Sequence, residues 1–376
     1  GIATFGLAGT ATVDILDGGT MISSGASVFV GGQLPMDATG QVTISGAGSQ
    51  WTIANALYAR RGSITVDDGG VVTAGSAVIG YADTGINNPE TDLVVTGAGS
   101  RFETTGELAI TNSAANAARG SITIADGGVV KVGGGALAMG PGNAVLNIGA
   151  AAGGSPAHAG TLDAGTVTMA VGSNQINFNH DDASTTFSAT ISGAGSVSQN
   201  GPGATLLTGN NSYAGLTTVT AGSLYIDGDQ SMATGLTTVN PGGTLGGTGT
   251  IGGDVTVASG GAINPGSFGM APGTLNINGD LTLASGSTQS FSFGQANIPG
   301  GPLNDLINVG GDLVLAGTLQ VDTSAGGTMD PGIYRVFNYT GTLSQNAWTV
   351  NLPSPDFYVQ TSVAQQINLV NTAGLA

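Results

Sequence analysis

Apolar residues alternate with small or polar ones along most of this chain, in short runs broken by glycine. In Ser63-Ile64-Thr65-Val66, and again in Ser121-Ile122-Thr123-Ile124, every second position is apolar. Such alternation, interrupted by Gly, Asn or Asp at intervals of about ten residues, predicts half-buried strands joined by tight turns. Helical periodicity is hard to find anywhere, and each glycine would cost a helix interior ~1 kcal/mol.

The pattern also repeats. RGSITVDDGGVVTAG at 61–75 returns as RGSITIADGGVVKVG at 119–133, and a weaker copy, TATVDILDGGTMISSGASVFVGG, occupies 10–32. Gly18-Gly19, Gly69-Gly70 and Gly127-Gly128 are equivalent, at spacings of 51 and 58. A second phrase, VTISGAGSQWTIANAL at 42–57, matches LVVTGAGSRFETTGEL at 93–108. The extra residues of the later spacing fall between Leu108 and Arg119, as expected of a loop growing on a repeat scaffold.

A unit that cannot bury its own apolar face must stack on its neighbours. Short strands with Gly-Gly and Asn-Pro-Gly corners predict an all-β, parallel β-helix (solenoid). Each coil would hold roughly 20–25 residues and stack about 4.8 Å above the last. A β-sandwich pair and a β-propeller are the alternatives. The irregular spacing disfavours a propeller, whose blades must close a ring. Coils on the long repeats are expected over 1–155, and further coils over 156–299. Asn210 and Asn211 are placed to ladder or cap a corner through side-chain hydrogen bonds to backbone.

Composition supports this. Glycine numbers 68 of 376 residues, 40% of residues are apolar and 8% charged, so the chain is no disordered charged tail. The formal net charge is −17, and the cations are Arg60, Arg61, Arg101, Arg119, Lys131 and Arg335. Without a basic stripe, nucleic acid and anionic lipid are poor partners. There is no cysteine, which excludes disulfides and suits a chain that crosses an oxidising periplasm. No signal peptide or 18-residue apolar run is found, and the start GIATFG reads as mature or trimmed.

The segment GPGATLLTGNNSYAGLTTVTAGSLYIDGD, 201–229, resembles the autotransporter-associated strand repeat. Gly203, Leu207, Thr208, Gly209, Asn211, Tyr213, Gly215, Thr217, Val219, Gly222 and Leu224 fill its pattern, and Thr205 departs from its first leucine. The stretches GGAINPGSFGMAPGTLNINGDLTLASGS and DLINVGGDLVLAGTLQVDTSAGGTMDPGIYRVFNYTGTLSQ are similar to the C-terminal part of autotransporter passengers. The long GAGS…DGGVV units look, more loosely, like repeats of large passengers of the same class. The resemblance implies a passenger of a type V secretion protein, exported through the periplasm to the outer-membrane surface of a Gram-negative bacterium or released from it. It implies a right-handed parallel β-helix with a C-terminal capping region, an autochaperone-like cap over 300–376, and, as partner, the chain's own β-barrel translocator, which this sequence does not contain. Because the sequence offers no catalytic constellation and a long β-rod has many exposed faces, the expected function is a virulence-type adhesin, not an enzyme, that binds host cell-surface or matrix molecules or itself. A passive stalk for a more N-terminal effector is the alternative; a secreted hydrolase would need a catalytic insert.

The chemistry-bearing residues are few. His180 stands beside Asp181 and Asp182, a pairing that could orient a base or hold a metal. Neighbours on a strand point to opposite faces, so a strand-end histidine before a solvated turn is the expectation. His158, in GSPAHAG, reads as a loop residue. Gly247, Gly249 and Gly252 match a dinucleotide fingerprint, but a strand follows where a helix must open. Asp67, Asp68, Asp83, Asp126, Glu90 and Asp92 lack the tandem spacing of a calcium repeat; a loop cation between Asp83 and Asp92 is a weaker option. Trp51 and Phe102, at equivalent repeat positions, are expected in a stacked core. No catalytic residue, cofactor-binding residue or metal ligand is therefore assigned. Specificity is expected in the loops 31–40, 81–92, 111–118 and 149–160.

Overall fold

The computed structural model describes residues 2–6, 9–25, 27–32, 38–82, 90–113, 118–269 and 271–374. All regular structure among them is β-strand. The chain divides into two compact units, Gly1–Asp182 with Ala189–Val197, and Ala183–Ser188 with Ser198–Ala376. Each unit is a parallel β-helix.

In the first unit the strands Ala11–Leu16, Gly40–Ser45, Arg61–Asp67, Glu90–Thr96, Arg119–Ala125, Asn143–Gly149 and Gln175–Asn179 pair in succession, all parallel. This pairing excludes the sandwich and the propeller, whose sheets are antiparallel. The register stacks Ile15, Ile44, Val66, Val95, Ile124, Ile148 and Phe178 in one column. All seven are buried, each worth roughly 1.5–3 kcal/mol. The same register shows that one 51-residue unit spans two coils. The coil length of roughly 20–25 residues expected from the sequence is not kept throughout: Ile15 pairs with Ile44, 29 positions on, and Ile44 with Val66, 22 positions on. Loops absorb the difference.

A second sheet in this unit includes Gln50–Ala59, Val71–Ile79 and Arg101–Thr104. Its core column is Trp51, Val72, Phe102 and Val130, with Trp51 and Phe102 fully buried, as the repeat predicted.

The two repeated phrases explain each other. In Asp-Gly-Gly, Asp68 and Gly69 both have positive φ, 48° and 86°, closing a turn that Gly70 N completes by donating to Asp67 O. Gly69 N then donates to Ser100 Oγ of the GAGS phrase one coil on, at 3.0 Å. Gly18 N and Ser49 Oγ repeat the bond at 3.0 Å. The serine of one phrase thus caps the turn of the other.

In the second unit, Thr217–Val219, Thr237–Val239, Val255–Val257 and Leu281–Leu283 stack in parallel. The passenger-like repeat at 201–229 lies here, with Leu207, Tyr213, Val219 and Leu224 buried. Asn210 Oδ1 accepts Asp229 N at 3.0 Å, the corner cap expected of it. Gly-Asp corners form a ladder: Asp280 N donates to Asp254 Oδ1, Asp312 N to Asp280 Oδ1, and Thr342 N to Asp312 Oδ1. Towards the C-terminus the direction changes. Gln366–Asn371 pairs antiparallel with both Gly332–Tyr339 and Phe357–Gln360, so the last sheet is closed by a chain reversal.

Candidate functional site

Two polar sites stand out, both in the first unit. The first lies on the outer face of the sheet that begins with Ala11–Leu16. Its outward positions at the strand starts fall in rows. Arg61, Glu90, Arg119 and Asn143 are in register, and so are Ser63, Asp92, Ser121 and Val145. The two copies of Arg-Gly-Ser thus flank Glu90-Thr91-Asp92, with Thr91 turned inward and buried. Positive, negative and positive side chains follow one another up the face. Ser121 Oγ donates to Asp92 Oδ1 at 2.5 Å.

These rows line a cavity of about 310 Å³ that includes Glu90, Asp92, Arg119, Asn143 and Gln175. A neighbouring cavity of about 250 Å³ shares Glu90 and Asp92 and adds Thr39 and Arg61. The strands of this face that start at Gly40, Glu90 and Arg119 begin at the C-terminal ends of the expected loops 31–40, 81–92 and 111–118. Glu90 and Arg119 are register partners, and Gly40 pairs with Gly62, next to Arg61. Residues 33–37, 83–89 and 114–117 lie outside the described residues, as does Asp83 of the suggested loop cation.

The second site sits at the far ends of the same strands. The loop 149–160 brings His158 over Asp181 and Asp182. His158 Nδ1 lies 3.0 Å from Asp181 Oδ1 and 3.0 Å from Asp182 Oδ1, and Ala159 N donates to Asp182 Oδ2 at 2.7 Å. The Asp181 charge, then the hydrogen bond and charge of Asp182, raise the His158 pKa above its ordinary value. His180 is fully buried, with Nδ1 3.6 Å from Asp182 Oδ2. Burial lowers its pKa against the pull of the two aspartates. His158, expected as a plain loop residue, is therefore the histidine facing both carboxylates.

The remaining candidates resolve as structure. Gly247, φ 122°, and Gly249 make a corner that leads into the strand Thr250–Ile251. A Cβ on Gly247 would lie 2.0 Å from Ile226 O, so the backbone approach needs glycine. Asp67 and Asp68 belong to a turn, and Asp126 Oδ2 accepts Thr96 Oγ1 at 2.9 Å.

The groove was missed because its residues are far apart in sequence. The repeated Arg-Gly-Ser was the available signal, since equal phrases on a solenoid occupy equal positions.

No protein-family model matches the chain. Among solved structures, the TibC-catalyzed hyper-glycosylated TibA fragment is similar at 14% identity and a TM-score of 0.33. The match covers 93% of this chain and 100% of that one. At this level the two share a broad likeness only, and the parallel β-helix stands on its own strand registers.

Proposed function

We propose that this chain is the passenger of a type V secretion protein, displayed on a Gram-negative cell surface and acting as an adhesin. The observation behind this reading is the polar groove in which Arg61, Glu90 and Arg119 stand in one row of alternating charge. A rigid sheet presents the groove, and binding residues concentrate on loops held by such scaffolds. The strand repeat at 201–229 and the antiparallel closure near the C-terminus support the passenger assignment. Alternating charge with flanking amide and hydroxyl groups suits a polar partner, either a host surface or matrix molecule or a second copy of the chain.

The test is attachment. Beads coated with the protein are counted on host cells and on matrix proteins, against bare beads and beads carrying a triple variant, Arg61→Ala, Glu90→Ala, Arg119→Ala. Attachment lost in the variant is expected. Clumping of coated beads that the variant abolishes assigns the groove to self-association. Neither attachment nor clumping would overturn the adhesin reading and leave a stalk.

A further inference from the structure

We propose that His158, Asp181 and Asp182 bind one divalent transition-metal ion. The donor set is one imidazole nitrogen and two carboxylate oxygens, and the three ligand atoms lie within 4.8 Å of one another. The nitrogen is 3.0 Å from each aspartate's Oδ1. Around an ion with bonds of about 2.1 Å, adjacent ligand atoms stand about 3.0 Å apart at a right angle and about 3.4 Å at a tetrahedral one. Both nitrogen–oxygen separations are those of a coordination edge, so an ion enters once the two carboxylate oxygens, within 4.8 Å of each other, settle at bonding distance.

The frame around the cluster is backbone. Asp126 N donates to His158 O at 2.8 Å, and Ala157 and Ala159 bridge to His180 and Ala125. Asn179 Nδ2 donates to Ala151 O and Gly154 O, tying down the start of the same loop. The Ala159 N–H bond fixes the carboxylate plane of Asp182 through the oxygen that does not face His158. Outer hydrogen bonds orient metal-ligating carboxylates in this way. Buried His180 forms the floor. The His158 side chain is 68% exposed, which leaves the outer coordination positions to water.

The donors choose the ion. Calcium takes six to eight oxygens, more than two aspartates supply. One imidazole with two carboxylates suits zinc, manganese, cobalt or nickel.

The experiment uses the full chain, freed of metal with a chelator and titrated calorimetrically with zinc and with manganese, calcium serving as comparison. One saturable equivalent of zinc or manganese is expected, with His158 ring signals shifting in the NMR spectrum. Asp181→Asn with Asp182→Asn, and separately His158→Ala, should each weaken binding at least about tenfold. His158→Ala removes an exposed ring, so its fold, followed by circular dichroism, stays intact and binding remains measurable. The proposal is overturned if neither ion binds saturably. It is equally overturned if both variants bind as the parent does, which would place the ion elsewhere.

Discussion

At the scale of single residues, the repeated phrases of the sequence turn out to be turn chemistry. Tyr213 shows this in the passenger-like repeat. Its hydroxyl lies 2.7 Å from Thr217 Oγ1, and both side chains are buried. Burial, partly offset by that bond, pushes the phenol pKa up to about 12, so it stays a neutral hydroxyl. Tyr213→Phe leaves the Thr217 hydroxyl without its phenol partner and should cost about 1–2 kcal/mol. A denaturant midpoint lowered at constant m-value would verify this; an unchanged midpoint would show that the bond contributes nothing net. The spacing of tyrosine and threonine was readable from the sequence. That they face each other across a corner was not, because a corner can turn either side chain inward.

At the scale of elements, stability comes from columns of side chains, each provided by successive coils. Trp51 and Phe102 both pack against Val72. Truncating Trp51 to alanine should cost about 3–5 kcal/mol, through lost transfer energy and the cavity left behind. The double variant with Phe102→Ala should cost less than the sum of the two single changes, since both cavities open onto Val72. Thermal unfolding of the two single variants and the double variant reads this directly, and strict additivity would contradict it. The C-terminal closure is the other element with a clear expectation. Deleting 357–374 strips Gly332–Tyr339 of Gln366–Asn371 and uncovers the site of Ile367 and Leu369, both fully buried. An open edge next to apolar surface pairs with other chains. Light scattering should detect oligomers in the truncated protein, and a clean monomer would argue against a capping role.

At the scale of the whole molecule, the marked feature is how acidic groups are handled. Asp182, Asp227, Asp229, Asp254, Asp280, Asp305 and Asp312 each accept a backbone N–H group. Asp312 is exposed, and the N–H of Thr342 lowers its pKa. Its contribution is present above the ordinary carboxylate range and is lost as pH falls through the depressed value. Asp305 behaves in the opposite sense. Its burial raises the pKa to about 6, against the pull of the N–H groups of Ser292 and Gly273. The folded state then holds a proton where the unfolded carboxyl has lost it, so stability falls as pH rises from about 4 through about 6. The size is on the order of 3 kcal/mol. Asp305→Asn should flatten this part of the stability profile between pH 4 and 7. An unaltered slope would assign it to other groups.

Strand character, turn positions and the repeat were determined by the sequence alone, because they rest on local forces: alternation, turn propensity and the positive φ that glycine permits. The burial of Trp51 and Phe102 was legible for the same reason, since equal phrases occupy equal places in stacked coils. The tertiary structure decided what depends on register. Loops of unequal length offset the coils, so the repeated phrase could align Arg61 with Arg119, but no count along the chain could place Glu90 between them in the same row. The histidine site follows the same logic. Adjacency placed His180 beside its aspartates in sequence, but the strand pleat buries that ring. Only the return of the 149–160 loop across the coil brings His158 to within 3.0 Å of Asp181 and Asp182.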